Sequence, residues 1–390
     1  MIRNTIVVLA LAIITLSCRA EPAALRTGAE RTEAYVGLLR GKSVAIAGNQ
    51  TTTVGTTHLV DTLLRLGVDV KVIFAPEHGF REMAAAGASI TGGVDEATGV
   101  RVVSLYGNRF KPQPADLEGI DVVVFDIQDV GARFYTYIST MHYVMEACAE
   151  NGIKCIILDR PNPNGFYTDG PVREPEFKSF VGMHPVPVVH GMTIGEYAMM
   201  VNGEGWLEGG IRCDLEVIMC ENYTHGTYYE LPVRPSPNLP NQTSVYLYPS
   251  LCFFEGTNIS VGRGTPFPFQ VFGAPSLEGR YAFSFMPESL PEAGTPMHLG
   301  KKCYGADLRD AMASALVPSP KLDLSWLIEA WNAFPDKDNF FRSYFETIAG
   351  TRKLREQIEA GMTAGQIRES WSEGLKDFEE VRRKYLLYPL

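Results

Sequence analysis

The fold is decided by residues 122–159, which read VVVFDIQDVGARFYTYISTMHYVMEACAENGIKCIILD. The apolar run from Val122 to Asp126 predicts a buried strand, and Cys155 to Asp159 predicts a second one. Between them, Thr140 to Asn151 has apolar residues at helical spacing, and Gly152 stands where a helix C-cap belongs. Strand, helix and strand in this order are typical of a parallel sheet covered by helices.

The same alternation begins near Lys42. Further strands are predicted at Ser43 to Ala47, Val70 to Ala75 and Val102 to Leu105. His58 to Leu66 has helical spacing and is followed by Gly67 as a C-cap, while Thr193-Ile194-Gly195-Glu196 is a capping box ahead of another helix. The sequence therefore predicts the α/β class, with a mainly parallel sheet.

The chain has 390 residues, which is more than a single hydrophobic core usually spans, so we expect two packed units. The region from Leu231 to Pro275 is rich in Pro, Asn, Gly and aromatic residues and predicts loops and short strands at a domain junction. We place the boundary near Val245, which gives domains at residues 22–244 and 245–390.

The negative net charge and the absence of several known motifs argue against several classes of function. The formal net charge is -10, so the chain lacks the positive field that attracts nucleic acid, and no nucleic-acid partner is expected. Gly48-Asn49-Gln50 follows the first strand with one glycine where a dinucleotide-binding loop has three. A P-loop, a GxSxG elbow and an HExxH motif are also absent, and we expect neither a cofactor nor a catalytic metal.

The first residues have the pattern of an export signal. Arg3 gives a basic start, Ile6 to Leu16 is almost unbroken apolar sequence, and Ser17-Cys18 follows. We predict a signal peptide at residues 1–21 and a location in the periplasm or on the cell surface. Cys18 is either the lipidated first residue of a lipoprotein, which would be the chain's sole membrane attachment, or part of a plain signal peptide that is cleaved a few residues later.

Six further cysteines are Cys148, Cys155, Cys213, Cys220, Cys252 and Cys303. None forms a CxxC pair, so a structural zinc site is not expected. Burial as small apolar residues is the leading interpretation, and a disulfide is the alternative in an oxidising compartment.

Polar residues follow several of the predicted strands. Asn49 comes after the first strand, Glu77-His78 after the second, Gln128-Asp129 after Asp126, and Arg160 after Asp159. Ligands of parallel α/β sheets bind beyond the carboxyl ends of the strands, where loops and helix N-termini converge. Each of these residues alone has a simpler interpretation as a loop or cap residue, but together they predict a polar crevice.

Several motifs resemble one known family: Phe74-Ala75-Pro76-Glu77-His78-Gly79, residues 124–137, Leu158-Asp159-Arg160-Pro161-Asn162-Pro163, Phe254-Glu255-Gly256-Thr257-Asn258 and Ser260-Val261-Gly262-Arg263-Gly264. They are similar to the exo-β-N-acetylmuramidases, a family once known only as a domain of unknown function. The resemblance extends from about Lys42 to Tyr388. It implies a Rossmann-like N-terminal domain, a smaller α+β C-terminal domain, a cleft between them, and release of terminal N-acetylmuramic acid from peptidoglycan fragments.

The resemblance also implies that Glu77 is catalytic, and its sequence context agrees. Cleavage of a glycoside needs a proton donor at the leaving oxygen and a group that supports the cationic anomeric carbon. Glu77 is the predicted general acid, because its strand-end position beside Phe74 and Pro76 favours desolvation. The alternative is a surface glutamate that pairs with Arg81 or caps a helix. His78 orients Glu77, binds a hydroxyl group of the sugar, or is a buried histidine bonded to the backbone.

The second catalytic group stays open among Asp126, Asp129, Asp159 and Glu255, with Asp126 first after its strand. Alternatively, the 2-acetamido group of the sugar itself attacks the anomeric carbon. A site selective for muramic acid should contain an arginine that binds the lactyl carboxylate. The candidates are Arg133, Arg160 and Arg263. For Arg263, a salt bridge at the domain junction is the alternative. The full set of predicted substrate-binding residues is Asn49, Gln128, Asp129, Arg133, Tyr135, Tyr137, Asp159, Arg160, Asn162, Glu255, Asn258 and Arg263.

Tyr135 and Tyr137 are predicted to stack on a sugar ring, with packing against the following helix as the alternative. A different class of function also fits the pattern, namely a noncatalytic cell-surface lectin or binding lipoprotein for the same glycans. The position of Glu77 discriminates between the two classes. An enzyme needs Glu77 in the cleft opposite a second carboxylate or an acetamide-sized space, whereas a lectin does not.

Overall fold

The computed structural model describes residues 24–81, 84, 92–291, 293–311 and 321–390. The predicted signal segment at residues 1–21, with Cys18, lies outside these ranges. No helix within them is long and apolar enough to cross a membrane.

The strands, in chain order, are β1 (Ser43–Gly48), β2 (Thr53–Val54), β3 (Thr57–His58), β4 (Asp69–Ala75), β5 (Gly93–Val94), β6 (Arg101–Ser104), β7 (Val122–Asp126), β8 (Lys154–Leu158), β9 (Leu215–Ile218), β10 (Val271–Ala274), β11 (Phe283–Phe285) and β12 (Cys303–Asp307). The helices are α1 (Thr32–Leu39), α2 (Leu59–Arg65), α3 (Tyr137–Asn151), α4 (Ile194–Gly203), α5 (Gln242–Leu251), α6 (Ser325–Ala333), α7 (Phe345–Ala349), α8 (Lys353–Glu359), α9 (Ala364–Ser370) and α10 (Ser372–Arg382).

The main sheet has seven strands in the order β5-β6-β4-β1-β7-β8-β9. All neighbouring pairs are parallel except β5 with β6. Alternate residues of the central strands pack on opposite faces, with Ala45 and Phe125 in one core cluster and Ile46 and Val124 in the other. A sheet buried on both faces explains the nearly continuous apolar runs, and the predicted Rossmann-like α/β fold is confirmed.

The local signals for helix ends are also confirmed. Gly152 ends α3 with a φ of 64°, a left-handed conformation that glycine adopts without steric cost. Thr193 caps α4 through a capping box with Glu196. The predicted α3 starts three residues too late, because Tyr137 already belongs to the helix.

The C-terminal part contains a three-stranded antiparallel sheet in the order β10-β12-β11, surrounded by the helices that follow it. This arrangement is the smaller α+β unit that the resemblance implied. The boundary predicted near Val245 falls inside α5, whose Val245 and Leu251 are buried in the same cluster as the main sheet. The division at residues 244 and 245 stays a prediction.

All six described cysteines are buried, and none of them forms a disulfide.

Candidate active site

A cavity of about 180 Å³ lies beyond the carboxyl ends of β4 and β7, where residues of the C-terminal part close over the main sheet. Its walls are formed by Glu77, His78, Tyr106, Phe134, Tyr135, Thr136, Tyr137, Phe180, Val181, Ser236, Asn238, Leu239, Tyr248, Glu255, Arg263, Phe269 and Tyr344. The position agrees with the strand-end rule for α/β sheets. Among the residues predicted from sequence, it contains Glu77, His78, Tyr135, Tyr137, Glu255 and Arg263.

A tight turn presents Glu77 to this cavity. The amide of Gly79 donates to the carbonyl of Pro76 at 3.1 Å, so residues 76–79 form a β-turn directly after β4. His78 occupies its third position with a φ of 73°, a left-handed conformation that non-glycine residues rarely adopt. Backbone held in such a region costs about 1–3 kcal/mol and is concentrated at functional sites. The turn therefore supports a functional role for Glu77.

Two hydroxyl groups lie beside the half-buried carboxyl group of Glu77. The hydroxyl of Thr136 donates to Oε2 of Glu77 at 2.9 Å. The phenol of Tyr106 is a second neighbour, and burial together with the adjacent Glu77 raises the pKa of Tyr106. Thr136 stands at the N-cap of α3 but makes no side-chain bond to that helix. Its hydroxyl is thus used to hold Glu77 and not to cap α3.

His78 is buried and bonded to the backbone, which was one of its predicted interpretations. Its Nδ1 lies 2.8 Å from the carbonyl oxygen of Ala84, which can only accept, so Nδ1 carries the proton. Burial lowers the pKa of His78 against the opposing effect of Glu77, so the ring is neutral near pH 7. His78 therefore fixes the turn that carries Glu77.

Glu255 and Arg263 form an ion pair on the wall contributed by the C-terminal part. Nε of Arg263 donates to Oε1 of Glu255 at 2.7 Å, and both side chains are about a quarter exposed, at 24% and 26%. The guanidinium group also lies over the ring of Phe269, 5.1 Å from its centroid. Gly262 and Gly264 on either side have φ values of 79° and 82°, which the bend at Arg263 requires.

Aromatic rings form most of the remaining wall. Tyr135 and Tyr137 meet edge to face, with ring centroids 4.9 Å apart, and Tyr135 meets Tyr248 at 5.7 Å in the same way. Tyr137 is anchored by its hydroxyl, which donates to the carbonyl of Pro235 at 3.1 Å. Burial raises the pKa of Tyr344 to about 12. The cavity is therefore a polar pocket with walls that exclude water, as ligand sites generally are.

The predicted catalytic role of Asp126 is not supported. Asp126 is fully buried, and its two oxygens accept from Nε and Nη2 of Arg160 at 2.6 and 2.8 Å. Arg160 also donates to the carbonyl of Thr53 at 3.0 Å. The two residues neutralise one another beneath the sheet edge, and neither borders the cavity. The hydrogen bonds of Arg160 therefore give it a structural role here, and its predicted contact with the lactyl carboxylate stays a prediction.

Asp159 and Asn162 are likewise structural. Asp159 accepts hydrogen bonds from the hydroxyls of Thr193 at 2.7 Å and Tyr388 at 2.6 Å, which tie the end of the chain to β8. Asn162 donates from Nδ2 to the carbonyl of Met192 at 2.8 Å. Neither borders the cavity, and their predicted substrate contacts stay a prediction that this geometry does not support.

Arg133 and Asn258 connect parts of the backbone. Arg133 is completely buried and donates to four carbonyl oxygens, those of Pro171, Val186, Ile348 and Ala349, at 2.7–3.0 Å. It therefore joins the two halves of the chain and has no access to substrate. Asn258 bonds to the carbonyl of Asn339 and also lies outside the cavity.

Asn49, Gln128 and Asp129 are buried near the cavity without bordering it. Oδ1 of Asn49 accepts from the amide of Thr51, and Nε2 of Gln128 donates to the carbonyl of Pro161 at 2.8 Å. Asp129 accepts from the amide of Gly131 at 2.6 Å, and burial raises its pKa to about 7. All three organise the loops behind the tyrosines, and direct contact with substrate is not supported.

Sequence reasoning missed several cavity residues, among them Tyr106, Thr136, Ser236, Asn238 and Tyr344. Thr136 lies inside a motif that was recognised, and its position next to two predicted tyrosines was a usable signal. Ser236 and Asn238 lie in a proline-rich loop far along the chain, where nothing local indicates which side chains enter the cleft.

A half-buried glutamate and a carboxylate–guanidinium pair within one aromatic-walled cavity are typical of a carbohydrate-cleaving enzyme. The comparison with known families makes this specific. Residues 44–243 match the N-terminal model of exo-β-N-acetylmuramidase NamZ, and residues 246–388 match its C-terminal model. The chain belongs to this family, which makes it a glycoside hydrolase.

Individual relatives agree. The peptidoglycan β-N-acetylmuramidase NamZ of Bacillus subtilis (strain 168) is 39% identical over 378 residues, which cover 91% of this chain and 89% of the relative. Two crystal structures of DUF1343 family proteins from Bacteroides fragilis NCTC 9343 have the same fold. The first has a TM-score of 0.87 and 46% sequence identity, and the match covers 94% of this chain and 99% of that protein. The second has a TM-score of 0.78 and 29% sequence identity, and the match covers 93% of this chain and 99% of that protein.

Proposed function

We propose that the protein releases terminal N-acetylmuramic acid from peptidoglycan fragments in the cavity around Glu77, with Glu77 as the general acid. The observation that carries this assignment is the placement of Glu77, which a strained turn holds in the cavity against the hydroxyl of Thr136. The carboxyl group of Glu77 gives its proton to the glycosidic oxygen while the bond from that oxygen to the anomeric carbon breaks.

Glu255 is the second carboxylate of the cavity, and it replaces Asp126 in this account. The negative charge of Glu255 supports the positive charge that develops at the anomeric carbon, while the hydrogen bond from Arg263 orients Glu255. Glu77 and Glu255 both border the cavity, Glu77 from the turn after β4 and Glu255 from the C-terminal part. A cavity assembled in this way holds a sugar between two carboxyl groups, as glycosidases require.

Arg263 also receives the lactyl carboxylate that distinguishes muramic acid from glucosamine. Its bond to Glu255 uses Nε, and its two terminal nitrogens make no hydrogen bond to any described residue. Of the three arginines considered from sequence, Arg263 alone borders the cavity, since Arg133 and Arg160 are engaged elsewhere. A guanidinium group presents paired N–H donors that match a carboxylate.

The alternative of a noncatalytic lectin is less well supported by the same geometry. A lectin has no need of a glutamate on a strained turn, and backbone strain of this kind is retained where function requires it. The experiment is hydrolysis of a chromogenic β-N-acetylmuramide and the matching N-acetylglucosaminide. A glycosidase of this type cleaves the muramide faster, whereas a lectin binds both sugars and cleaves neither.

We also propose that the protein is exported and acts in the periplasm or on the cell surface, with Cys18 as a lipid anchor. Support comes from the basic start at Arg3, the apolar run from Ile6 to Leu16, and Cys18 after a small residue. Cell fractionation tests this: Cys18→Ala should move the protein from the membrane to the soluble fraction. Intact residues 1–16 on cytosolic protein would contradict export.

A further inference from the structure

Two polar side chains in the cavity wall have buried donor atoms that make no hydrogen bond. They are the hydroxyl of Tyr135 and the Nδ2 amide group of Asn238. Tyr135 is 7% exposed and Asn238 is 4% exposed. The Tyr135 hydroxyl lies beside the hydroxyls of Ser236 and Tyr137 but has no partner at standard geometry. A buried donor without an acceptor is unfavourable, and at the wall of a cavity a ligand can supply the missing acceptor.

The surroundings of these two donors are apolar. Phe134, Tyr248 and Phe269 line the same cavity, and each is at most 7% exposed. The ring of Tyr248 lies 5.4 Å from that of Phe134 and 4.9 Å from that of Phe269. A ligand group that fits here has one hydrogen-bond acceptor and a small apolar part.

Charge indicates which group of the sugar binds to Tyr135 and Asn238. Both donors are neutral side chains, a phenol and a primary amide. Arg263, whose two terminal nitrogens make no hydrogen bond to a described residue, offers the charge-assisted contact that suits an anionic group of the ligand. The acceptor is therefore neutral, which matches an amide carbonyl and not the lactyl carboxylate.

We propose that Tyr135 and Asn238 form the subsite for the 2-acetamido group of the terminal sugar. The hydroxyl of Tyr135 and the amide of Asn238 donate to the acetamide carbonyl oxygen, and its methyl group packs against Phe134, Tyr248 and Phe269. This inference rests on the proposed function, since it names the part of the muramic acid that this wall holds. Both residues act by binding and orienting the sugar.

The test is calorimetric titration with two sugars that differ at one position: N-acetylmuramic acid, and 3-O-lactyl-glucose, which has a hydroxyl group in place of the acetamide. Wild type should bind the acetamide sugar more tightly. Tyr135→Phe and Asn238→Leu should each weaken binding of N-acetylmuramic acid about threefold to tenfold, the worth of one neutral hydrogen bond. Binding of 3-O-lactyl-glucose should stay unchanged, so the preference between the sugars narrows.

Tyr281→Phe is the matched control, because its buried hydroxyl lies beside Glu329 and outside the cavity. It should leave both affinities unchanged. Tyr135→Phe removes only a hydroxyl that has no partner, so its melting temperature should not fall. The assignment of the subsite would be overturned if Tyr135→Phe and Asn238→Leu weakened the binding of both sugars equally. It would also be overturned if neither variant changed the affinity for N-acetylmuramic acid. Titration needs no turnover, so a protein that keeps the acetamide preference but cleaves no muramide contradicts the proposed function and not this inference.

Discussion

The hydroxyl of Thr136 donates a hydrogen bond to Oε2 of Glu77 at 2.9 Å across the gap between the loops that follow β7 and β4. This bond links the start of the longest described helix to the residue that we propose as the acid. It also restricts the orientation of the Glu77 carboxyl group in the cavity. Thr136 is therefore a positioning residue that acts through Glu77.

Thr136→Val keeps the shape of the side chain and removes its donor. A hydrogen bond to the protonated, neutral carboxyl group of Glu77 contributes about 0.5–1.5 kcal/mol, so kcat should fall about twofold to tenfold with little change in KM. Thr136→Ser retains the hydroxyl and should recover most of the activity. Steady-state kinetics on a chromogenic N-acetylmuramide measure both variants. If Thr136→Ser and Thr136→Val have the same kcat, the hydroxyl of Thr136 has no role in positioning Glu77.

Arg263→Met should lower kcat/KM on the muramide about tenfold to a hundredfold, because a charge-assisted contact to the lactyl carboxylate is lost. The matching glucosaminide has no such carboxylate, so its hydrolysis should fall less and the preference for the muramide should narrow. Arg309→Met is the control, since Arg309 pairs with Asp307 outside the cavity. An unchanged ratio between the two substrates would exclude Arg263 as the carboxylate ligand.

The buried pair of Asp126 and Arg160 should matter for stability. Asp126→Ala leaves the Arg160 guanidinium group buried without its counter-charge, which typically lowers the free energy of unfolding by about 3–5 kcal/mol. Urea denaturation followed by circular dichroism measures this loss. Affinity of the folded fraction for N-acetylmuramic acid should match wild type, and a stable Asp126→Ala protein that cannot bind the sugar would return Asp126 to the site.

Asp129 should make stability depend on pH. Burial raises its pKa to about 7, above its value in the unfolded chain of about 3.9. The folded protein therefore holds this proton more tightly, and the contribution to stability is full below pH 4 and lost as the pH rises through 7. The neighbouring His190 lies 3.8 Å away and stays neutral in this window, because burial lowers its pKa to about 3.

Asp129→Asn keeps an acceptor for the amide of Gly131 and removes the titrating group. The variant should gain stability relative to wild type between pH 5 and pH 8, as judged from urea midpoints at each pH. If the urea midpoints of wild type and Asp129→Asn changed with pH in the same way, Asp129 would not titrate in this range.

The main features of the fold were predictable from local pattern. The predicted strand Val122 to Asp126 matches β7 in full, and Gly152 and Thr193 are at the helix ends where their chemistry placed them. These signals are short in range, because burial of a strand and capping of a helix depend on neighbouring residues. The place of Glu77 in the cavity was predictable for the same reason, as Glu77 directly follows a strand within a recognisable motif.

The rest of the site depended on side-chain direction, which the strand-end rule does not give. Asp126 and Arg160 follow neighbouring strands as the rule requires, yet they bond to each other. Arg133 and Arg263 both lie in loop motifs, but Arg133 binds four carbonyl oxygens and Arg263 borders the cavity. Asn238 enters the cavity from a distant loop, and only the tertiary structure shows this.

The most direct test of the account is the effect of Glu77→Gln on two substrates with different leaving groups. Gln keeps the shape of Glu77 and cannot donate the proton, so kcat on a muramic-acid disaccharide should fall by about 10²- to 10⁴-fold. A nitrophenyl muramide has a leaving group that needs less protonation, so its loss should be clearly smaller. Glu118→Gln on the exposed surface serves as the control. Wild-type activity of Glu77→Gln on the disaccharide, or an equal loss on both substrates with a lowered melting temperature, would contradict the assignment of Glu77 as the general acid.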